Sequence, residues 1–328
     1  MKLLITGGLG FIGSNFILSL IKKFPKSQII NLDAEFHGSN KKSLAEIKNY
    51  DNYKFVKGNI NDYVKVDKLV SDCDTVINFA AESFVDRSIA NAKPFLNSNI
   101  DGVFTLLESI KKFKKKFIQI STDEVFGSLK NKTALETFPY NPSSPYAATK
   151  ASAEMLVNSY HITYDCDTII TRCTNNYGPR QSPEKLIPKI ILLAEKNKKI
   201  PVYGTGINLR DWLYVDDHCE AILSILEKGK TGQSYNISAN NEIDNLTIIN
   251  KILSIMGKSD DLIEFVEDRP GHDFRYSMNS DKLRNDIGWE PKIKLDDGLK
   301  NTVDWYLSNS KWWNDLSENL FVHTPWKE

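Results

Sequence analysis

The sequence predicts an α/β protein with a doubly wound parallel sheet of the Rossmann type and a smaller mixed carboxyl-terminal lobe. Three observations support this fold class. A short apolar strand near the amino terminus runs into a glycine-rich turn, short strands and helices alternate through the first half, and from about Asn175 the pattern becomes irregular and rich in proline. Such alternation is typical of right-handed βαβ units.

The individual elements follow from apolar runs and their boundaries. Lys2–Thr6 is a short buried strand, and the glycine-rich turn after it leads into an apolar helix at Phe11–Lys23. The same reasoning predicts the strands Gln28–Leu32, Tyr53–Lys57, Thr75–Asn78, Phe117–Ser121 and Asp167–Arg172, and the helices Pro94–Ile110, Tyr146–His161 and Asp217–Lys228.

Composition excludes several classes of function. Lys and Arg together number 42, as do Asp and Glu, so no overall basic field favours nucleic acid or an anionic membrane. The first apolar helix is too short to span a bilayer, and no cleavage signature follows it. The cysteines lack the spacing of a zinc site or a disulfide framework, so we expect no metal and a cytoplasmic protein.

The glycine-rich turn indicates a dinucleotide site. Gly7, Gly10 and Gly13 allow a tight turn, close approach of backbone N–H groups to a pyrophosphate, and close packing of the following helix. Asp33 ends the next strand, twenty positions after Gly13, where a carboxylate can accept hydrogen bonds from the adenosine ribose. A carboxylate there disfavours a 2′-phosphate, so the predicted cofactor is NAD.

A tyrosine and a lysine form the predicted redox pair. Tyr146 and Lys150 are four residues apart at the start of a helix, so they share one face. We expect the Lys150 ammonium to lower the pKa of the phenol, so that Tyr146 can take a proton from a sugar hydroxyl while NAD accepts a hydride.

An acid and a base accompany this pair. Thr122, Asp123 and Glu124 follow the strand Phe117–Ser121 directly, at the carboxyl edge of the sheet where ligands bind. Two carboxylates beside a redox pair indicate elimination of water in place of simple oxidation.

Together these residues resemble the extended short-chain dehydrogenase/reductases, and among them the nucleoside-diphosphate-glucose 4,6-dehydratase family. The resemblance runs from Met1 to about Trp313. The motifs that carry it are T-G-G-x-G-F-I-G, A-A-E-S at 80–83, S-T-D-E-V-F-G at 121–127, Y-x-x-x-K, N-N-Y-G-P at 175–179, P-E-K-L-I-P at 183–188, P-V-Y-G at 201–204, R-D-W-L at 210–213 and R-P-G-H-D at 269–273.

The resemblance implies a reaction and a role for each catalytic residue. Oxidation at C4 of dTDP-glucose, or of UDP-glucose, acidifies the C5 proton. Glu124 is then the base at C5, Asp123 is the acid at the C6 hydroxyl, and Thr122 positions the C4 oxygen. Hydride returns to C6, and the NAD stays bound through turnover. The product is a 4-keto-6-deoxy sugar nucleotide, so the enzyme is a hydro-lyase.

The resemblance also implies binding residues. For NAD they are Gly7, Gly10, Phe11, Ile12, Gly13, Asp33, Asn59, Ile60, Phe79, Ala80, Ala81, Ser98, Tyr146, Lys150 and Asn176. For the nucleotide sugar they are Ser83, Thr122, Asn175, Lys185, Leu186, Pro201, Tyr203, Arg210, Asn245, Arg269 and His272. The basic members suit a diphosphate, and Tyr203 is placed to pack on the pyrimidine base.

Three positions depart from the family pattern. Phe84 stands where histidine is usual, Phe126 replaces a tyrosine, and Asn59 replaces an aspartate on the adenine side. These changes leave the acid, the base and the Tyr–Lys pair intact. They affect only contacts to the sugar and the adenine.

Domain limits, assembly and alternatives complete the predictions. We expect residues 1–174 and about 208–238 to form the NAD-binding domain, and about 175–207 and 239–328 to form the nucleotide-sugar domain. By analogy, helices Pro94–Ile110 and Tyr146–His161 pair across a two-fold axis as a four-helix bundle in a homodimer. Thymidine and uridine stay undecided. The alternative functions are a UDP-sugar 4-epimerase, a UDP-glucuronate decarboxylase, and a non-catalytic NAD-binding regulator.

Overall fold

A seven-stranded parallel sheet forms the centre of the larger lobe. The computed structural model describes residues 1–314 and 325–327. Its strands are β1 (Lys2–Thr6), β2 (Gln28–Asp33), β3 (Tyr53–Lys57), β4 (Thr75–Asn78), β5 (Lys116–Thr122), β6 (Thr168–Cys173), β7 (Asn175–Tyr177), β8 (Ile200–Tyr203), β9 (Leu209–Tyr214), β10 (Ser234–Ile237), β11 (Glu242–Asp244) and β12 (Ile263–Val266).

The helices lie on both faces of this sheet and in the smaller lobe. They are α1 (Phe11–Lys23), α2 (Tyr63–Ser71), α3 (Val85–Ala90), α4 (Lys93–Leu96), α5 (Gly102–Phe113), α6 (Pro145–Tyr164), α7 (Leu186–Glu195), α8 (Val215–Lys228), α9 (Asn245–Met256), α10 (Asp281–Ile287), α11 (Leu295–Ser308) and α12 (Ser310–Trp313). Of the helices described, none combines the length and apolar character needed to cross a bilayer.

The strand order confirms the predicted doubly wound sheet. The order is β3-β2-β1-β4-β5-β6-β10, and every pairing is parallel. The direction of winding reverses between β1 and β4, which is where this fold binds ligands. The glycine-rich turn follows β1, and Thr122 ends β5. The cofactor motif and the acid–base motif therefore lie at the same edge.

The smaller lobe has its own sheets and its own core. Strand β9 pairs with β7 and β11 in a three-stranded sheet, and β12 pairs with β8. Strand β9 lies within the range predicted for the NAD-binding domain, and it contributes to both cores, Leu213 to that of the larger lobe and Trp212 to that of the smaller lobe. The domain limits remain a prediction. Leu283 and Trp289 lie within the range predicted for the nucleotide-sugar domain, but their buried side chains pack in the core of the larger lobe. Local patterns do not show which sheet a strand joins.

The aromatic residues at positions 305–313 belong to the core of the smaller lobe. Tyr306 is fully buried, and Trp313 is nearly so. Trp305 and Trp312 pack against this core, with ring centroids 5.2 Å apart. The cluster continues the packing of α7, α9 and α11.

A buried ion pair holds the loop between Glu124 and Tyr146 in place, and it opposes a lid-like motion of that loop. Arg172 and Glu154 are buried, with Nη2 and Oε2 2.6 Å apart. Tyr140 of the loop donates its hydroxyl to Glu154 Oε2 at 2.9 Å, and Arg172 Nη1 donates to the Glu136 carbonyl at 3.1 Å. The loop is therefore attached to α6 and β6, which opposes such a motion.

A buried histidine predicts how stability depends on pH. Neither ring nitrogen of His218, on α8, has a hydrogen-bond partner among the described residues, and burial lowers its pKa to about 3. Because the unfolded chain takes up this proton near pH 6.5, stability is retained above that pH and falls as the pH drops towards 3. Near pH 4.5 this linkage lowers the free energy of unfolding of the wild type by about 2–3 kcal/mol relative to neutral pH, and we expect His218→Leu to lack this decrease.

The measurement is urea unfolding at neutral and acidic pH. His161→Gln is the control, because His161 is only partly buried. Parallel pH profiles for wild type and His218→Leu would contradict the prediction.

Candidate active site

Glycines form a cradle for a pyrophosphate between β1 and α1. Gly7 has φ of +69°, and a Cβ there would lie 2.5 Å from the Ala80 nitrogen. A Cβ on Gly13 would lie 2.5 Å from the Gly7 carbonyl oxygen. Gly10 precedes the helix and contributes no side-chain cap, so the first N–H groups of α1 are available to an anion. The turn therefore fits a dinucleotide.

Asp33, predicted to contact the adenosine ribose, lies at the end of β2 beside this cradle. Its Oδ2 accepts a hydrogen bond from the Leu9 backbone at 2.9 Å, and its Oδ1 accepts from the Glu35 backbone and the Ser39 hydroxyl at 2.8 and 2.9 Å. Since each carboxylate oxygen has two lone pairs, Oδ2 can still accept a ribose hydroxyl. The side chain is fixed in the position predicted for it.

One cavity passes from Asp33 to the acid–base pair. All fifteen residues predicted to bind NAD line it: Gly7, Gly10, Phe11, Ile12, Gly13, Asp33, Asn59, Ile60, Phe79, Ala80, Ala81, Ser98, Tyr146, Lys150 and Asn176. Four residues predicted for the substrate line it too: Ser83, Thr122, Asn175 and Lys185. These nineteen residues come together from elements that are far apart in the chain.

Sequence reasoning missed several residues of the cavity wall. They include His37, Glu82, Cys173, Gln181 and Ser182. Asn176 Oδ1 and Gln181 Oε1 are among the buried oxygens of cavity residues that lack a hydrogen-bond partner within the described part of the chain. Buried polar atoms normally have a partner, so these two oxygens suit donor groups of a ligand. For Gln181 and Ser182, the sequence signal was their place directly after the N-N-Y-G-P motif at 175–179.

Tyr146 and Lys150 share a helix face, but the predicted pKa effect is wrong for the protein alone. Burial, with a contribution from Glu124, raises the pKa of Tyr146 well above 10, although the Thr122 side chain acts in the opposite direction. Lys150 Nζ donates to the Ile120 carbonyl at 2.7 Å, and burial lowers its pKa to about 8. Desolvation is therefore the main influence on the phenol, and its protonated form predominates at neutral pH.

The two carboxyl groups have different surroundings. Asp123 is buried, and burial together with the neighbouring Glu124 raises its pKa well above the usual value. Burial also raises the pKa of Glu124, but Arg269, Lys185 and Arg210 favour its ionised form. Environments that separate two carboxyl pKa values define an acid and a base. Asp123 suits the proton donor, and Glu124 suits the acceptor.

Three basic side chains lie near Glu124. Lys185 Nζ donates to the Ser83 carbonyl at 2.8 Å. Arg210 donates to three backbone carbonyls, among them that of Asp273 at 2.8 Å. Arg269 pairs with Asp86 at 2.9 Å, and its buried Nε has no partner within the described part of the chain. In these contacts Lys185 and Arg210 donate to backbone carbonyls, and Arg269 pairs with a carboxylate. Because backbone carbonyls do not neutralise the charges of Lys185 and Arg210, the three side chains can bind an anionic ligand.

The remaining predicted substrate residues form a second group outside the cavity wall. Tyr203, at the end of β8, packs edge-on against His272 and against Trp326, with ring centroids 6.5 and 5.0 Å away. His272 Nδ1 lies 2.6 Å from Asp268, and burial and two arginines lower its pKa to about 4. The other members are Leu186, Pro201 and Asn245, whose Oδ1 is buried without a partner among the described residues.

The departures from the family pattern have structural explanations. Phe126 stacks on Tyr140 with centroids 6.5 Å apart and lies under Arg172, so it belongs to the buried network behind the acid–base pair. Phe84 is buried beside Lys185, whose Nζ lies 4.4 Å from the ring centroid. Asn59 lines the cavity near Ile60 and accepts from the Asn61 backbone at 3.0 Å.

Comparison with known proteins agrees with this geometry. The family model for GDP-mannose 4,6 dehydratase matches residues 4–302. The low-salt glycan biosynthesis protein Agl12 of Haloferax volcanii is 47% identical over 95% of this chain and 100% of its own length. The dTDP-glucose 4,6-dehydratase of Mycobacterium tuberculosis is 42% identical over 97% of each chain.

A solved structure shows the same fold throughout. DesIV, a dTDP-glucose 4,6-dehydratase from Streptomyces venezuelae with NAD and TYD bound, superposes with a TM-score of 0.95 at 39% identity, covering 97% of this chain and 100% of that one. The fold, the cradle and the full-length matches lead to one conclusion. The chain belongs to the nucleotide-sugar 4,6-dehydratases, a family within the extended short-chain dehydrogenase/reductases.

Proposed function

We propose that this protein is an NAD-dependent dTDP-glucose 4,6-dehydratase. It is a hydro-lyase that converts dTDP-glucose to the 4-keto-6-deoxy sugar nucleotide and water. The observation that carries the proposal is the pair Asp123 and Glu124, with carboxyl groups in different surroundings, beside Tyr146 and Lys150. The activity named for the full-length relatives supports it.

The first step is removal of a proton from the C4 hydroxyl. When bound, NAD supplies the redox chemistry, accepting a hydride from C4 and later returning one to C6. The phenolate of Tyr146, a minor form at neutral pH, takes the C4 hydroxyl proton. The hydrogen bond from Thr122 favours this form, and we expect the Lys150 ammonium to favour it as well. Thr122 also holds the C4 oxygen in position.

The second step is loss of water. A ketone at C4 acidifies the C5 proton, and Glu124 removes it. Asp123, kept protonated by burial, gives its proton to the departing C6 hydroxyl. One proton taken from C5 and one given to the hydroxyl balance the elimination of one water. The hydride that bound NAD would return to C6 needs a matching proton at C5, and the now protonated Glu124 can supply it. Deep burial of Asp123 limits access of bulk water to the reacting carbons.

The nucleoside diphosphate is held by the basic cluster. Lys185, Arg210 and Arg269 neutralise the diphosphate, with Asn175 and His272 as hydrogen-bonding groups. Tyr203 packs on the pyrimidine, with Pro201 beside it in β8 and Asn245 as a ribose or base contact. Ser83 contacts the sugar, and Leu186 lies next to Lys185. Asp86, which pairs with Arg269, then competes with the diphosphate for that guanidinium.

Mass spectrometry tests the function directly. The purified protein is incubated separately with dTDP-glucose and UDP-glucose, with no NAD added. We expect loss of one water from dTDP-glucose without accumulation of NADH. The relative rates measure base preference, for which a single methyl group accounts for about 1–3 kcal/mol. An unchanged mass, even after NAD is supplied, would contradict the proposal.

The alternatives give different products. A UDP-sugar 4-epimerase leaves the mass of its substrate unchanged, and a UDP-glucuronate decarboxylase releases carbon dioxide from a carboxylated sugar. Neither reaction expels a hydroxyl group from C6, so neither needs a base at C5 together with an acid at the C6 hydroxyl. A non-catalytic NAD-binding regulator gives no product. The dehydratase is favoured because both carboxyl groups and the Tyr–Lys pair are retained in one cavity.

We also infer a cytosolic site of action. The four cysteines are free and buried, which suits a reducing compartment. The balanced charge of the chain supports a small anionic substrate over nucleic acid or a membrane surface.

A homodimer is proposed through α5 and α6. These helices expose apolar side chains, among them Phe104, Met155 and Ile162. Apolar surface of this kind suits packing against the same helices of a second copy, as a four-helix bundle. We expect sedimentation equilibrium to give twice the 37.3 kDa chain mass.

Variants test this interface. Phe104→Glu with Met155→Glu places like charges within the proposed bundle, so we expect a monomer. Leu307→Glu, an exposed apolar position on α11, is the control and stays dimeric. A wild-type monomer, or a dimer unaffected by the double change, would remove the proposed bundle.

A further inference from the structure

Three chain segments meet over the cavity through one carboxylate. His37 follows β2, Arg87 lies on α3, and Glu184 precedes α7. Glu184 Oε1 lies 2.8 Å from His37 Nε2, and it accepts from Arg87 Nη2 at 2.9 Å while Oε2 accepts from Arg87 Nε at 3.3 Å. We name His37, Arg87 and Glu184 the clasp. It joins the larger lobe to the segment that leads into the smaller lobe.

A buried aromatic ring lies under the clasp. Phe84 has its ring centroid 4.8 Å from that of His37 and 5.8 Å from the Arg87 guanidinium carbon. A Cβ on Gly38 would lie 3.2 Å from the same ring, so this loop packs closely on it. Phe84 thus fills the space that the three polar side chains would otherwise leave open.

The clasp carboxylate is ionised and mostly enclosed. Its side chain is 14% exposed, against 32% for His37 and 45% for Arg87. Burial opposes ionisation of Glu184, but hydrogen bonds from His37 and Arg87 outweigh it and lower its pKa. Glu82 faces the same two basic groups from the cavity side. Partial enclosure makes the clasp stronger than an exposed surface pair.

The clasp connects two segments that line the cavity. His37, Gly38 and Phe84 line it, as do Ser182 and Lys185, which flank Glu184 in the sequence. The contact of Glu184 with His37 therefore ties these two segments of the cavity wall together.

We propose that the clasp of His37, Arg87 and Glu184, closed on Phe84, retains NAD in the protein. The inference rests on the proposed function only in taking NAD as the cofactor. It gives a recycled cofactor a physical basis in this chain, because slow release keeps NAD bound through turnover. It also assigns a role to Phe84, one of the departures from the family pattern.

The test measures NAD release without turnover. Holoenzyme carrying labelled NAD is mixed with excess unlabelled NAD, and the label left on the protein is followed by rapid gel filtration. We expect Glu184→Gln to accelerate release at least about tenfold, equivalent to about 1.4 kcal/mol. We expect His37→Leu to accelerate it as well, and the double variant to release NAD no faster than the faster single variant.

Controls separate the clasp from general effects. Lys41→Gln removes a charge from the same loop, but Lys41 pairs with Glu35 of that loop and not across the cavity. Its release rate stays at the wild-type value. Unchanged release in Glu184→Gln, or strictly additive effects of the two single changes, would overturn the proposal. Because no sugar nucleotide is present, the outcome does not depend on whether the protein dehydrates dTDP-glucose.

A salt series gives a second readout. The clasp is partly exposed, so raised ionic strength weakens it. Release from the wild type is expected to accelerate with salt, and release from Glu184→Gln to respond much less. Equal salt responses of the two proteins would contradict an ionic clasp. His37→Leu, which changes a partly exposed loop residue, keeps the test informative if Glu184→Gln folds poorly.

Discussion

Tyr146→Phe is expected to lower kcat for loss of water by about 100- to 10,000-fold, the range for a positioned acid–base group. The change removes only the hydroxyl, and the ring continues to fill its buried position on α6. Binding of dTDP-glucose depends on the basic cluster, so KM changes little. Steady-state kinetics by mass spectrometry, together with NAD content, provide the measurement.

The pH dependence of this step follows from burial. Because the pKa of Tyr146 is raised well above 10, the phenolate fraction grows about tenfold for each pH unit in the neutral range. The oxidation step in the wild type should therefore accelerate with pH, and this dependence should disappear in Tyr146→Phe. Tyr164→Phe, at the exposed end of the same helix, is the control. Turnover of Tyr146→Phe within a few-fold of wild type would contradict the oxidation mechanism.

Replacing the carboxyl groups is expected to separate oxidation from elimination. With Asp123→Asn and Glu124→Gln combined, C4 oxidation continues and NADH accumulates on the protein, while loss of water falls by about 100- to 10,000-fold. Neither change alters side-chain volume, so the cavity keeps its shape. Single-turnover absorbance of NADH and mass spectrometry of the sugar nucleotide measure the two steps independently.

The single variants distinguish the acid from the base. In heavy water, Asp123→Asn retains Glu124 and should still exchange the C5 proton of the keto sugar for deuterium. Glu124→Gln should not. Asp51→Asn, an exposed carboxylate, is the control for loss of charge alone. Equal loss of oxidation and elimination in both variants would mean that these carboxyl groups are structural.

Much of the fold follows from local patterns. The strands Lys2–Thr6, Tyr53–Lys57 and Thr75–Asn78 and the helix Phe11–Lys23 lie where the apolar runs predict them, because each run is bounded by glycine, by a turn or by charge. The other predicted strands differ by one residue at an end or at both ends. The predicted helix Pro94–Ile110 is instead α4, a π-helical turn at 97–101, and α5.

The glycine-rich turn and the acid of the cofactor site could be predicted because Gly7, Gly10, Gly13 and Asp33 lie close together in the sequence. A glycine turn after β1 and an acid at the end of β2 share the carboxyl edge of adjacent parallel strands. The acid–base residues follow β5 directly, so they lie at the same carboxyl edge of the sheet. The positions of Gly7, Asp33, Thr122 and Tyr146 around one cavity follow from this topology.

Other features depend on residues that only the folded chain brings together. The contact of Asp86 with Arg269 joins positions 183 residues apart, and that of His37 with Glu184 joins distant loops. The sequence around each of these residues does not predict its partner, because a single charged residue is most simply interpreted as lying on the surface. Strand β9 joins the small sheet for a similar reason, since strand pairing is set by the partners available.

The sequence by itself determined the fold class, the cradle and the chemical groups, since each depends on short-range spacing along strands and helices. Tertiary structure alone decided the protonation of those groups. Burial keeps Tyr146 and Asp123 protonated, and three basic residues from separate segments favour ionisation of Glu124. The physical reason is that a pKa depends on desolvation and on charges within a few ångströms, which are properties of the packed chain.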